Sequence, residues 1–308
     1  MTSSRHLGLD LGGTNIKWAV VDWDGSTWTT MARGQVPTDV SGDPLEVPRV
    51  VVAQLAGLAV GSLVAWGDLA SVGIGVPGRY DPATGQTRFL VNVPGPWAAM
   101  PVARPVAEAA RAPAFLINDA RAFGLAELRM GAGRGTRSMV GVTLGTGVGG
   151  VVAIDGRVYL GHDGTAGELG HQTIEPNGLA CNCGNCGCVE AYVRADRICA
   201  VCGTASVKEA VRRARDGDAR AMRGLEQVGR YLGIGLANII TVISPDRVVV
   251  GGGVAAAGEL LFAPIREEIA RRVTMTSLDE VELVQAELGT WAGSIGAAIH
   301  GAERMLDA

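Results

Sequence analysis

Short apolar runs broken by glycine-rich turns mark this chain from its first residues. Residues 7–11 and 16–22 read as two strands around a Gly-Gly-Thr turn, and Trp-Asp-Gly-Ser at 23–26 closes the hairpin. The apolar stretch 47–66 predicts a helix, and the run 71–76 predicts a buried strand ended by Pro-Gly. Turn residues dominate 81–96, then a helix near 102–111 precedes a strand at 114–117. From there the pattern restarts. Residues 139–144 predict a strand, 145–150 a glycine turn, and 151–154 a returning strand before Asp-Gly. Helices follow at 207–216 and 219–243, and a strand from 246 runs into Gly251, Gly252 and Gly253. A helix at 260–272, a strand at 281–286 and a helix at 292–305 close the reading.

Strands mixed with helices predict an α/β architecture. The segments LDLGGTNIKWAVVDWDG and VTLGTGVGGVVAIDG both run strand, Gly/Thr turn, strand, Asp-Gly turn. Two such copies in one chain suggest an internally duplicated fold. No long linker or low-complexity segment interrupts it.

At 308 residues and 47% apolar, the chain is long enough for two domains with a sizeable core. A formal charge of −4 gives no reason to expect nucleic acid. The uncharged stretch 50–67 reaches the length of a membrane span. Glycines, Gln54 and Ser62 dilute it, so it predicts a buried or half-buried helix and no membrane partner. All six cysteines lie between Cys181 and Cys202, which suits metal binding in a reducing, cytoplasmic compartment better than a disulfide framework.

The segment GELGHQTIEPNGLACNCGNCGCVE, residues 167–190, concentrates the chemistry. His171, Cys181, Cys183 and Cys188 can close four soft ligands around one zinc ion, with Glu168 and Glu190 at either side. Cys186 is a further thiol that competes for a place, so spacing alone leaves the ligand set open. Cys199 and Cys202 read as helical cysteines, and His6, His162 and His300 as structural or surface residues.

Three glycine turns suit phosphate or nucleotide. Glycines let backbone amides approach and donate. In the first, Asp10, Gly12, Gly13 and Thr14 end a strand. Asp10 would repel phosphate directly but suits a hydrated magnesium ion, and Lys17 adds positive charge nearby. Gly145, Thr146 and Gly147 form the second turn, and the triplet Gly251–Gly253 the third, flat enough for adenine or ribose. A tight turn explains each by itself; the three together point to a nucleotide cleft. Strands rather than helices follow the first two, which breaks the dinucleotide fingerprint, and no GxxxxGK[ST] is present.

With these residues in view, the chain resembles the ROK family of sugar kinases, the bacterial glucokinases in particular. The motifs are DxGGT at Asp10, GVPG from Gly75, NVPG from Asn92, NDA from Asn118, LGTGVGG, GELGH and CxCGxxGCxE ending at Glu190. The resemblance implies a two-lobed, actin-like, hexokinase-type (RNase H-like) ATPase fold with duplicated lobes. We expect one lobe at 1–117 plus 292–308 and the other at 118–291. It implies ATP with Mg2+, a structural Zn2+ on His171, Cys181, Cys183 and Cys188, and Asp119 as catalytic base. Gly75, Asn92, Asn118, Asp119, Glu168, His171 and Glu190 would meet the sugar. His171 could serve both sites, with one ring nitrogen on zinc and the other toward a sugar oxygen. Asn118 and Asp119 also read as a helix cap, and Asn118 offers a donor and an acceptor. The implied activity is phosphorylation of a hexose, glucose first, in an interlobe cleft, by a homodimer.

Arg121 stands where the family commonly has a small polar residue, Pro96 is extra in the NVPG loop, and Val151 replaces a frequent glycine. The first two put glucose identity in doubt. Alternatives are another hexose or N-acetylated amino sugar (fructose, mannose, N-acetylglucosamine, N-acetylmannosamine), polyphosphate as donor, and a non-catalytic sugar-binding regulator. A glycosidase pair at Glu168 and Glu190 fits less well, because hydrolysis needs no phosphate cradle.

Overall fold

Apolar runs with glycine turns pair into two sheets of the same topology. The computed structural model describes residues 3–306. The chain divides into two compact units. One takes residues up to Met130 with those from Thr290 onward; the other is Gly131–Gly289.

In the first unit, β1 (Ser4–Leu11) and β2 (Asn15–Trp23) form the expected hairpin, with Leu11 opposite Ile16. β3 (Trp28–Pro37) pairs antiparallel with β2. α1 (Val47–Trp66) leads to β4 (Ser71–Val76), parallel to β1. Strands β5 (Gly78–Asp81), β6 (Gln86–Leu90) and β7 (Met100–Pro101) make a small separate sheet. Then come α2 (Ala103–Ala110), β8 (Ala114–Asn118), parallel to β4, and α3 (Asp119–Met130). The main sheet runs β3-β2-β1-β4-β8.

The second unit repeats this plan. β9 (Met139–Leu144), β10 (Val148–Ile154) and β11 (Arg157–Val158) form an antiparallel meander. Four helices follow: α4 (Val189–Val193), α5 (Ala195–Cys202), α6 (Val207–Arg215) and α7 (Ala219–Ile243). β12 (Arg247–Gly252) returns parallel to β9, and α8 (Glu259–Arg272) leads to β13 (Glu282–Gln285), parallel to β12. The order β11-β10-β9-β12-β13 matches the first sheet position for position, so the duplication read from two short segments extends to whole sheets.

The last helix, α9 (Ala292–Leu306), belongs to the first unit. A Cβ at Gly8 or Gly73 would overlap its backbone, so glycines on β1 and β4 let the helix lie directly on the sheet. Gly296 on α9 approaches the α3 backbone at Ala122 in the same way, and Arg129 on α3 pairs with Glu303 at 2.7 Å. This packing draws α3 into the first unit. The boundaries therefore fall at 130/131 and 289/290 rather than at the expected 117/118 and 291/292.

Among the described residues, α1 is the one helix long and apolar enough to cross a membrane. Its Val47, Val51, Val52, Leu55 and Ala59 enter the first unit's core, while Val60 and Val64 face out, so it is the half-buried helix expected. His6 is buried, 2.8 Å from Ser71 Oγ, and burial pushes its pKa down to about 4. His300 is buried on α9, and burial, helped by the Arg304 charge, likewise lowers it to about 4. His162 is exposed, and Cys202 is buried with its thiol 3.7 Å from Ala221 O.

Candidate functional site

In the first unit the carboxyl ends of β1, β4 and β8 stand side by side. Register aligns Asp10 with Gly75 and Val76 with Asn118. Asp10 and the Asn118–Asp119 pair thus share one sheet edge two strands apart, about 10 Å at the usual strand spacing. Burial pushes the Asp10 carboxyl up to about 6, against the pull of Lys17 directly opposite on β2. A Cβ at Gly293 would collide with that carboxylate, so Asp10 sits against the first turn of α9, where a helix favours negative charge. Gly75 is buried beside it; an added methyl would lie 3.4 Å from Asp10 Oδ1, so Gly75 supplies backbone and room.

The first glycine turn closes through Gly12 N–H to Asn15 O at 3.0 Å, and Thr38 Oγ1 donates to Gly12 O at 2.7 Å. Thr14 is exposed at its tip. A Cβ at Gly13 would overlap the Asn92 carbonyl, which brings this turn against the NVPG loop. Asn92 holds φ 63°, a left-handed conformation asparagine tolerates. Buried Trp97 anchors that loop by donating Nε1 to Val93 O at 3.0 Å and Pro94 O at 3.1 Å, while Pro96 stays exposed.

Asn118 ends β8 and caps α3. Its Oδ1 accepts from Ala120 N at 3.0 Å, Arg121 N at 3.3 Å and Arg121 Nη1 at 2.8 Å. Its Nδ2 donates to Gly78 O at 3.3 Å. The expectation that Asn118 offers both donor and acceptor is therefore corrected: the oxygen is saturated from within the chain, and one N–H of the amino group remains. Asp119 Oδ1 accepts from Ala120 N at 2.9 Å, so the cap and the carboxylate share one strand-to-helix junction.

In the second unit, Gly145 N–H donates to Gly147 O at 2.9 Å, and Gly145 and Thr146 form an exposed tip. Val148 N–H donates to Glu190 Oε2 at 2.8 Å, and a Cβ at Gly147 would sit 2.6 Å from that oxygen. Glu190 is thus fastened to the second turn, a contact sequence spacing did not reveal. Gly150 and Gly170 let the GELGH segment lie on β10, since a Cβ at either would overlap it. Register sets Gly251 opposite Thr143 and Gly252 opposite Leu144, so the second and third turns end adjacent strands. Gly253 faces open space, whereas Gly252 combines φ 83° with a Cβ position overlapping the Leu144 backbone. Gly252→Ala is expected to destabilise the protein by about 2–4 kcal/mol, through strain and overlap together. Gly253→Ala should stay within about 1 kcal/mol. Thermal denaturation of the pair checks this.

The metal-ligand expectation meets its test in the donor geometry. The ligand atoms of His171, Cys181, Cys183 and Cys188 all lie within 4.8 Å of one another. His171 Nδ1 is 3.7 Å from Cys181 Sγ, and Cys183 Sγ is 3.8 Å from Cys188 Sγ. A tetrahedron with Zn–S bonds of about 2.3 Å has edges of about 3.8 Å, so this donor set fits zinc. Cys186 is exposed and outside the four. His171 turns Nε2 toward Glu168 Oε2 at 3.9 Å, so its two nitrogens face the thiols and the acid separately. Glu190 Oε1 lies 3.8 Å from Cys181 Sγ, which links the knot to the second turn. Burial pushes the Cys188 thiol up to about 12 and raises Cys181, while a backbone bond from Asn185 lowers Cys183. Neutral buried thiols are what a divalent cation converts to thiolates. A separate groove of about 470 Å³, lined by Arg137, Asp155, Asp246 and Glu280, opens at the other end of the second sheet, away from both turns.

Comparison with known proteins bears on this geometry. The model of the ROK family matches residues 6–303. A glucokinase from Thermotoga maritima is 34% identical over 99% of this chain and 99% of its own. The crystal structure of a ROK hexokinase from Thermus thermophilus superposes with a TM-score of 0.85 at 35% identity, covering all of both chains. A ROK glucokinase from Streptomyces griseus, solved with glucose and AMPPNP, gives 0.81 at 30% identity over 97% of this chain and 100% of that one. Relatives named as xylose repressors and as an N-acetylgalactosamine kinase match as well.

Proposed function

This chain belongs to the ROK family, and on that premise we propose that it transfers the γ-phosphoryl group of ATP to the 6-hydroxyl of a hexose, with glucose as the sugar. The observation that carries the reading is the row of Asp10, Gly75 and Asn118–Asp119 along one sheet edge, a charge-bearing phosphate turn and a carboxylate base built on rigid strands. The named relatives support ATP as donor and glucose as acceptor.

Phosphoryl transfer needs positioning and charge compensation more than covalent help. Asp119 accepts the hydroxyl proton as the new O–P bond forms, and ADP departs with the electrons of the broken bond. Asn92, Asn118, Glu168, His171 and Glu190 hold sugar hydroxyls, with Gly75 giving room. Backbone amides of Gly13, Thr14, Thr146 and Gly147 cradle the phosphates, Gly12 and Gly145 close the two turns and leave room for close approach, and Gly251, Gly252 and Gly253 take the nucleoside. Lys17 offsets the Asp10 charge opposite it. Bound Mg2+, near Asp10 through water, would offset phosphate charge. Zn2+ on His171, Cys181, Cys183 and Cys188 would hold Glu190 and His171 in place. We place the enzyme in the cytoplasm as a homodimer; light scattering in solution tests the latter.

A coupled ADP-release assay decides the reading, with glucose, mannose, fructose, N-acetylglucosamine and N-acetylmannosamine as acceptors and ATP or polyphosphate as donor. We expect glucose with ATP to give the highest kcat/KM. ADP release from no sugar would end the kinase reading in favour of a sugar-binding regulator.

Asp10 gives a pH prediction. Its folded pKa of about 6 lies above the unfolded value, so the ionised carboxylate weighs against folding. That penalty is absent below about pH 4 and complete above about pH 6, where it is on the order of 2–3 kcal/mol. Asp10→Asn is therefore expected to raise Tm at pH 8 and leave it unchanged near pH 4, while turnover with ATP collapses. Denaturation curves at the two pH values check the sign.

A further inference from the structure

Among the described residues, Arg121 is the largest fully buried side chain, only 2% exposed. It is the third residue of α3. That position places a cation at the positive end of the helix dipole and removes it from water, and both cost stability. Arg304 adds a second cation to the same region, since both act on Tyr80. Among the bonds Arg121 makes there is one of 2.8 Å from Nη1 to Asn118 Oδ1.

We propose that Arg121 is a positioning residue: it locks the Asn118 carboxamide as a pure donor, so that the acceptor hydroxyl of the sugar turns its own proton to Asp119. This rests on the kinase reading above. The orientation of the amide follows from chemistry. Two backbone N–H groups and the guanidinium all point at Oδ1, and a flipped amide would set its amino group against three donors. A hydroxyl has one proton and two lone pairs. Beside an amide oxygen it could donate there, leaving its proton away from the base. Beside an amino group it can only accept, and its proton stays available to the neighbouring carboxylate. Arg121 thus acts through Asn118 on the direction of one proton.

The test compares Arg121→Met, Arg121→Lys and Asn118→Asp with wild type in ADP release. Arg121→Met should lower kcat by about tenfold or more and change the sugar KM by less than about threefold. Arg121→Lys, which keeps a donor of similar reach, should recover kcat to within about threefold of wild type. Asn118→Asp accepts the same three donors but offers no amino group, to the sugar or to Gly78 O, and should lower kcat by about 100-fold. Wild-type kcat in Arg121→Met, a kcat for Arg121→Lys below a tenth of wild type, or full turnover in Asn118→Asp overturns the proposal. Should Arg121→Met not fold, the other two variants decide. An active wild type with unaffected variants leaves the kinase reading standing without Arg121; an inactive wild type ends both.

Discussion

Asp119→Asn is expected to cut kcat by roughly 10²–10⁴-fold, the range a general base contributes, while glucose binding stays within about threefold. The substitution isolates proton acceptance from everything else the residue does. Asn118 remains the cap of α3, and an amide oxygen at 119 can still accept from Ala120 N as Oδ1 does now at 2.9 Å. The neighbouring Asn118 keeps its own three donors. What disappears is a basic oxygen at the end of β8. Steady-state turnover with calorimetric titration of glucose separates the two effects. A variant retaining more than a tenth of wild-type turnover would remove Asp119 from the base role. Asp119→Ala should lose as much activity and also some stability, because the bond from Ala120 N and a negative charge in the first turn of α3 go with it.

Loss of the metal should act on sugar affinity before it acts on the fold. Structural zinc contributes about 10–16 kcal/mol in small peptides, where it replaces a core. Here the second unit has its own core, from Val140 and Val142 through Leu225, Leu232 and Ile265, and zinc in the proposed site would stiffen one loop against it. That loop carries Glu190, two residues after Cys188 and bonded to Val148 N–H, and His171, which faces Glu168. Cys183 is the proposed ligand to change, because it is exposed and its loss opens no cavity. Cys183→Ser is expected to lose most of its zinc and raise the glucose KM by about 10–100-fold, the usual range for support of a metal site. Cys186→Ser should match wild type in both. Elemental analysis and steady-state kinetics check the pair. Wild-type protein that is folded, fully active and free of bound metal would sink the idea.

Much of this arrangement was legible in the residues. DLGGT and LGTGVGG announced two hairpin turns because glycine is required where strands reverse tightly, and both hairpins are present. The cysteine spacing pointed to a metal knot with Cys186 still in contention, and the family resemblance named the four residues whose ligand atoms cluster. What escaped had weak local signals. β3 has no buried position, since every residue is exposed or half-exposed on the far side of β2, so no apolar period marks it. The small sheet β5-β6-β7 is built from a turn-rich stretch, with an irregular four-pair ladder between β5 and β6 and only two pairs between β6 and β7. α4 and α5 sit in the shadow of the cysteine knot, where ligand spacing dominates the pattern. Glu190's bond to Val148, and the saturation of Asn118 by Arg121, depend on contacts across 42 residues and on a side-chain rotamer. Composition encodes neither. The one sequence sign was Arg121 itself, a long cation where a small polar residue was expected.

The place of α9 has a consequence for biosynthesis. The second unit is one uninterrupted stretch, so it has all its parts before the ribosome reaches residue 290. The first unit, although it begins to emerge earlier, waits for its last helix to cover Gly8 and Gly73, and until then one face of its sheet lies bare. The half that starts first is the half that finishes last, and a nascent chain stalled near its end would present that uncovered sheet to chaperones.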